Sequence, residues 1–257
     1  GIPARQVYSP KWPHCDDNHA WVEVFCDGEW HYLGACEPEE TLDRGWFTAA
    51  ASRAMLVHSR TFGDSAQNEM YIGEEGCMSL WNQLSRYADC KELTVKIVEN
   101  GQPVEGVLVK TELLNYAQFS PIARQLSAAD GQVKLTVGLG DLRLHCVKDG
   151  RFLTKFVDVR KDNFVEIDFA EAVFAESEKR CGADFEMNPP QDNMNFMKPQ
   201  SEEVKLLRQG KFDKAVAKRR GKEASYLTAE QGRRLLAERG FSEEQAITGG
   251  DILAKTY

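Results

Sequence analysis

Hydrophobic and polar residues alternate in two short runs near the start of the chain, as they do in half-buried β-strands. Residues 21–25 and 30–33 are rich in aromatic and β-branched side chains. Asp27-Gly28 lies between the two runs, and this dipeptide is typical of the tight turn of a β-hairpin. The pattern therefore predicts a hairpin. Farther along, the alanine-rich residues 49–60 predict a helix.

A second region alternates more regularly. Six or seven short hydrophobic runs recur through residues 91–169, about 8–12 residues apart. Turn sequences such as Asn100-Gly101 and Asp130-Gly131 separate these runs. This spacing is typical of an antiparallel β-sandwich, and we expect one here.

The last part of the chain changes character again and is rich in Ala, Glu, Lys and Arg. Prolines within residues 186–200 indicate an extended linker, and residues 201–239 have the composition of solvated helices. The three patterns divide the chain into a first domain at 1–90, a β-sandwich at 91–169, and a linker with helices at 170–257.

Composition and charge narrow the possible functions. The chain has 257 residues, a net charge of -8 and a sequence pI near 5.3. This acidic balance argues against nucleic acid or an anionic membrane surface as the main partner. No apolar run has the length of a transmembrane segment. None of the seven cysteines belongs to a Cys-x-x-Cys pair, which argues against a zinc ribbon.

A cluster of possible metal ligands precedes the predicted hairpin: His14, Cys15, Asp16, Asp17 and His19. Neighbouring residues at the start of a strand point to opposite sides, so at most two or three of them can converge on one ion. Asp16 and Asp17 are more simply explained as turn residues. We therefore expect neither a metal ion nor a cofactor.

His19 also suggests a different chemistry. It immediately precedes the predicted hairpin, and Glu37 follows it, so the hairpin can bring this carboxylate close to the imidazole. An imidazole base and an orienting carboxylate are two of the three parts of a nucleophilic triad. Trp21 can shield one side of the imidazole. A histidine that bonds the backbone at a strand edge is the alternative.

Three ordered motifs extend this pattern: Gly-Ile-Pro-Ala-Arg at 1–5, His-Ala-Trp-Val-Glu-Val at 19–24, and Trp30 followed by Cys-Glu-Pro at 36–38. Together they resemble the middle and end of the transglutaminase-like core, a superfamily of transglutaminases, bacterial cysteine proteases and peptide N-glycanases. The resemblance implies an α+β fold class, with a partial papain-type core followed by the antiparallel β-sandwich and a helical tail.

The same resemblance assigns roles to individual residues. His19 is expected to be the general base, and Glu37, or failing that Glu39, its orienting acid. Trp21 and Trp30 are expected to contact substrate, with packing inside the hairpin as the alternative for the aromatic side chains.

The nucleophile of such a core is a cysteine upstream of the Gly-Ile-Pro-Ala-Arg strand, where this chain starts. Cys15 is only four residues before His19, so we expect a fragment that lacks its nucleophile and is inactive alone. For the intact protein the resemblance implies thiol acyl transfer, as a peptidase or amidase acting on a protein or peptide-like substrate. The alternative is a non-catalytic surface-binding or scaffold protein.

The sandwich region carries a resemblance of its own. Asn-Gly-Gln-Pro-Val-Glu-Gly-Val at residues 100–107 resembles the carboxypeptidase-regulatory-like or prealbumin-like β-sandwich of bacterial cell-surface enzymes. That resemblance implies a module without chemistry of its own that contacts protein or polysaccharide. It also implies an extracytoplasmic location, in the periplasm or at the surface of a bacterial cell.

Overall fold

The computed structural model describes residues 1–62, 70–174 and 185–245. The chain divides into two compact units, Gly1–Lys198 and Pro199–Tyr257. The first unit contains a six-stranded sheet followed by two facing sheets, and the second contains helices. Within the described residues, no helix has both the length and the apolar character needed to cross a membrane.

Six strands build the first sheet: β1 (Ala4–Ser9), β2 (His19–Cys26), β3 (Glu29–Leu33), β4 (His58–Phe62), β5 (Tyr71–Glu75) and β6 (Met78–Asn82). They pair antiparallel in the order β3-β2-β1-β4-β6-β5. Asp27 and Gly28 both have positive φ, as the type I′ turn between β2 and β3 requires. The predicted hairpin is therefore confirmed.

The predicted helix over residues 49–60 is wrong. The helix α1 covers only Thr48–Ala51, and strand β4 begins at His58. Since β4 lies between β1 and β6, sheet hydrogen bonds on both sides satisfy its backbone groups. This pairing outweighs the modest helix propensity of the segment.

The described part of residues 90–174 contains a β-sandwich with the strands β7 (Cys90–Glu99), β8 (Gln102–Pro103), β9 (Leu108–Asn115), β10 (Gln118–Leu126), β11 (Gln132–Gly138), β12 (Asp141–Lys148), β13 (Arg151–Asp158), β14 (Phe164–Asp168) and β15 (Val173–Phe174). One sheet has the order β10-β9-β12-β13-β15 and the other the order β11-β7-β14, with β8 paired to β7. Inward residues of both sheets share one core with Met55 and Ile72 of the preceding region. This shared core joins the two regions into one compact unit.

The predicted papain-type α+β core is wrong. Within the described part of residues 1–90, the α-helix is the single turn of α1, and an antiparallel sheet supplies most of the regular structure. The alternating pattern then continues into the two facing sheets. The first unit is therefore chiefly antiparallel β-structure, because short alternating runs with tight turns favour strand pairing over helix packing.

The second unit contains α2 (Glu202–Glu223) and α3 (Ala229–Glu238). Ser201 caps α2, since its hydroxyl accepts a hydrogen bond from the backbone N–H of Val204 at 3.3 Å. Thr228 caps α3 through a reciprocal capping box with Gln231. No side chain of α2 is buried.

Candidate functional site

His19, Trp21 and Glu23 lie on the same face of β2, because alternate residues of a strand point to the same side. This face is directed into the hydrophobic core of the first sheet, and Trp21 is part of that core. Trp21 is fully buried there, and its ring stacks on that of Phe47 with a centroid distance of 4.9 Å. The indole Nε1 donates a hydrogen bond to the Tyr87 hydroxyl at 2.9 Å. His19 therefore lies at the outer end of an ordered aromatic stack.

Glu23 holds this face in place from inside the protein. Its fully buried carboxylate accepts hydrogen bonds from Arg5 Nε at 2.6 Å, Arg86 Nε at 3.0 Å and the Tyr87 hydroxyl at 2.6 Å. Burial, with the Glu23 carboxylate beside it, raises the pKa of Tyr87 well above its usual value. The phenol therefore stays protonated and donates, so two guanidinium groups and a phenol satisfy the buried charge.

The segment that follows β3 brings Glu37 and Trp46 next to His19. The imidazole centroid is 4.7 Å from the Trp46 ring and 4.9 Å from the Phe47 ring. Trp46 Nε1 donates a hydrogen bond to Glu37 Oε1 at 3.2 Å, and the same oxygen is 3.8 Å from His19 Nε2. We name these four residues, His19, Glu37, Trp46 and Phe47, the Trp46 site.

Trp46 and Glu37 are the exposed members of the Trp46 site, and the site carries negative charge. The Trp46 side chain is 58% exposed. Burial lowers the pKa of His19, although the carboxylates of Glu37 and Asp17 oppose this effect, so the imidazole is neutral at pH 7. A neutral imidazole does not neutralise the negative charge of Glu37. In the surrounding sequence, residues 12–43 contain nine acidic residues and no lysine or arginine.

A side chain of the sandwich fixes the segment in front of His19. Asn115 is fully buried, and its Nδ2 donates to the carbonyl oxygens of Trp12 at 3.1 Å and Cys15 at 2.9 Å. The backbone N–H of Tyr116 donates to Asp16 Oδ1 at 2.6 Å. Among the described residues, no group of three or more His, Cys, Asp or Glu side chains is placed to hold a metal ion.

The residues singled out in the sequence have different positions. His19 and Glu37 lie together at the surface. Trp21 lies behind His19 in the core, where it is fully buried, and Trp30 lies on the edge strand β3 with the Arg5 guanidinium 4.1 Å from its ring centroid. Sequence reasoning missed Arg86 and Tyr87, which are 63 and 64 residues from Glu23 and carry no local signal.

A second surface groove, with a volume of about 260 Å³, lies beside β3. Asp43 in this groove is hydrogen-bonded to His31 Nδ1 at 2.7 Å and accepts a further hydrogen bond from Lys198 Nζ. Burial opposes ionisation of Asp43, yet these two hydrogen bonds hold its pKa below the usual range. Because this charge is already satisfied from within the protein, the Trp46 site is the stronger candidate for binding.

Comparison with known proteins gives little support for a family assignment. No family model matches the chain, and no curated protein matches it. One similar solved structure is described as the structure of the streptococcal ancillary pilin, with 12% sequence identity and a TM-score of 0.27. The match covers 65% of this chain and 60% of that chain, so it spans less than two thirds of the pilin structure.

The predicted membership of the transglutaminase-like superfamily is therefore wrong, and so is the predicted thiol acyl transfer as a peptidase or amidase. The carboxypeptidase-regulatory-like assignment of the sandwich is wrong as well. No family model supports any of these assignments, and the described part of the first unit is chiefly antiparallel β-structure. The resemblance rested on short motifs within residues 1–38, and the described tertiary structure does not have the papain-type core that those motifs predicted.

Proposed function

We propose that this protein is a non-catalytic binding protein of the bacterial cell exterior, and that the Trp46 site contacts a protein partner. The proposal rests on one observation, which is that Trp46 is both exposed and held in a fixed orientation. Its indole is more than half exposed, yet ring contacts with His19 and Phe47 and a hydrogen bond to Glu37 hold it in one orientation. Exposed tryptophan is unusually frequent among the residues that dominate binding energy at protein interfaces.

The surroundings of Trp46 support this role because they are rigid. Trp21 stacks on Phe47 beneath Trp46, and the satisfied charge of Glu23 fixes the strand that carries His19. Asn115 fixes the preceding segment. A side chain that is already ordered loses little conformational entropy when a partner binds, so more of the contact energy appears as affinity.

The charge of the site indicates the kind of partner surface. Glu37 and Asp17 both act electrostatically on His19, and the local sequence is acidic. Complementary charge increases the rate of encounter and disfavours wrong partners. The proposed partner therefore presents a basic surface to Trp46.

Site-specific photo-crosslinking in the cells of origin tests the proposal. A photoreactive phenylalanine analogue replaces Cys36, the exposed neighbour of Glu37, in one variant and Phe164 in a control, since Phe164 is 55% exposed and lies on the sandwich. We expect a discrete protein adduct from position 36 and none from position 164. Added wild-type protein is expected to compete for this adduct, whereas Trp46→Ala is not.

Two results would contradict the proposal. One is the same adduct pattern from both positions, and the other is no adduct from position 36 in a variant whose thermal unfolding matches that of the wild type. Protease treatment of intact cells tests the location separately, because a protein at the cell exterior is degraded without lysis.

A further inference from the structure

The five-stranded sheet of the sandwich has a row of apolar residues on its outward face, where the residues of an antiparallel sheet are commonly polar. Each of the five strands contributes one residue to this row, and the strand register places the five side by side: Leu126, Leu108, Val147, Phe152 and Val173. None of these five belongs to the hydrophobic core. We name them the apolar row. Its end members, Leu126 and Val173, are 66% and 46% exposed, and the row spans about 19 Å across the sheet.

A second row on the same face is basic. It lies one outward position farther along the strands, where Arg124 is directly opposite Lys110 and Lys110 is directly opposite His145. We name these three residues the basic row. Like charges directly opposite each other destabilise a sheet, so the Arg124–Lys110 pair lowers the stability of the fold. Within the described residues, neither Arg124 nor Lys110 has an ion pair.

The acidic residues of the same face do not neutralise this row. Within the fully described strands β9, β12 and β13, the three acidic residues at outward positions are already in ion pairs: Glu112 with Arg143, and Asp141 and Asp158 with Arg160. The basic row therefore keeps its positive charge, although the whole chain has a net charge of -8.

We propose that this outward face binds an acidic segment of a protein partner, in which carboxylates flank apolar side chains. The apolar side chains of the segment pack on the apolar row, and its carboxylates pair with Arg124 and Lys110. Contiguous exposed apolar residues beside a polar rim are typical of protein contact surfaces. The inference does not depend on the Trp46 site.

The charge of the face favours such a partner over a second copy of this chain in a symmetric contact. In a symmetric dimer both copies present the same surface, so the two basic rows would face each other. Like charges across an interface disfavour binding, whereas carboxylates remove the repulsion between Arg124 and Lys110.

A library of random peptides displayed on phage, selected on the full chain, supplies a probe. We expect an enriched class in which Asp or Glu is next to Leu, Ile, Val or Phe. One synthetic peptide of this class is titrated with the full chain in isothermal calorimetry. We expect binding that weakens at higher salt, since exposed charges are screened. Trp46→Ala is expected to bind the peptide as the wild type does.

Lys110→Glu tests the role of charge. It is expected to weaken peptide binding about tenfold or more, because like charges then meet across the interface. Its unfolding temperature is expected to stay at or above that of the wild type, because the new carboxylate is opposite Arg124. Lys96→Glu is the matched control, since Lys96 is likewise half-buried but lies on β7 of the other sheet. We expect it to bind like the wild type.

Leu126→Ala tests the apolar row and is expected to weaken binding several-fold. Leu42→Ala, the same change at an exposed position outside the sandwich, is not. The proposal would be overturned by the absence of an enriched acidic class, by equal losses for Lys110→Glu and Lys96→Glu, or by unchanged binding of Leu126→Ala. Self-association of the full chain that Lys110→Glu abolishes would also overturn it, because the partner would then be a second copy.

Discussion

His58 lies in β4 near the centre of the first sheet, where it is 2% exposed and stacks on the Tyr8 ring at a centroid distance of 5.9 Å. Burial, with a further contribution from the positive charge of Arg60, lowers the pKa of His58 to about 4. In the unfolded chain the same imidazole has a pKa of about 6.5. Between these two values the unfolded state binds the proton and the folded state does not. Acidification therefore favours unfolding.

The size of this effect follows from the two pKa values. Above pH 6.5 both states are neutral at His58, and the residue has no pH-dependent influence on the free energy of unfolding. The loss grows as pH falls, to about 2 kcal/mol at pH 5 and about 3 kcal/mol at pH 4. Below the folded pKa it becomes constant.

Urea unfolding at pH 7 and pH 5 measures the loss, with His58→Phe as the matched variant. Phenylalanine keeps a ring against Tyr8 but does not titrate, so titration of all other groups cancels in the comparison. We expect wild-type stability to fall by about 2 kcal/mol more than that of His58→Phe between the two pH values. The same pH dependence in both proteins would refute the reasoning, because His58 would then titrate alike in the folded and unfolded states.

Three further predictions concern the site and its support. Glu23→Gln should lower the free energy of unfolding by about 3–5 kcal/mol, because it leaves the buried Arg5 guanidinium without its counter-charge; a loss under about 1 kcal/mol in chemical denaturation would contradict this. Asn115→Ala should cost about 1–3 kcal/mol in the same assay, since the Trp12 carbonyl loses its Asn115 donor and the Cys15 carbonyl keeps only that of Asp17, and an unchanged unfolding midpoint would contradict this role of Asn115. Acidification should protonate His19, and its Nε2–H then competes with the Trp46 indole N–H as a donor to Glu37 Oε1. The NMR signal of the Trp46 indole N–H should therefore shift with pH. An equal titration in His19→Gln would exclude this cause.

Part of the fold follows from local sequence. Asp27-Gly28 set the turn of the first hairpin, because its φ values suit few other residue pairs. Regular alternation after residue 90 indicated strands, since side chains alternate between the two faces of a sheet. The proximity of His19 and Glu37 also came from the hairpin they flank. In each case the residues involved are close in sequence, so short-range geometry decides the outcome.

Long-range packing decided the rest. Residues 58–62 form a strand because β1 and β6 bind both of its edges, and no property of the segment itself indicates these neighbours. Arg86 and Tyr87 reach Glu23 only when the first sheet is assembled. The family resemblance was wrong for a related reason, because short motifs specify local strands and turns but not the way those strands assemble. The sequence alone determined the first hairpin with its tight turn, the alternating strands after residue 90 and the acidic surroundings of His19. Only the tertiary structure decided which side chains are buried and paired around it, because burial and pairing depend on residues that are distant in sequence and meet only in the folded chain.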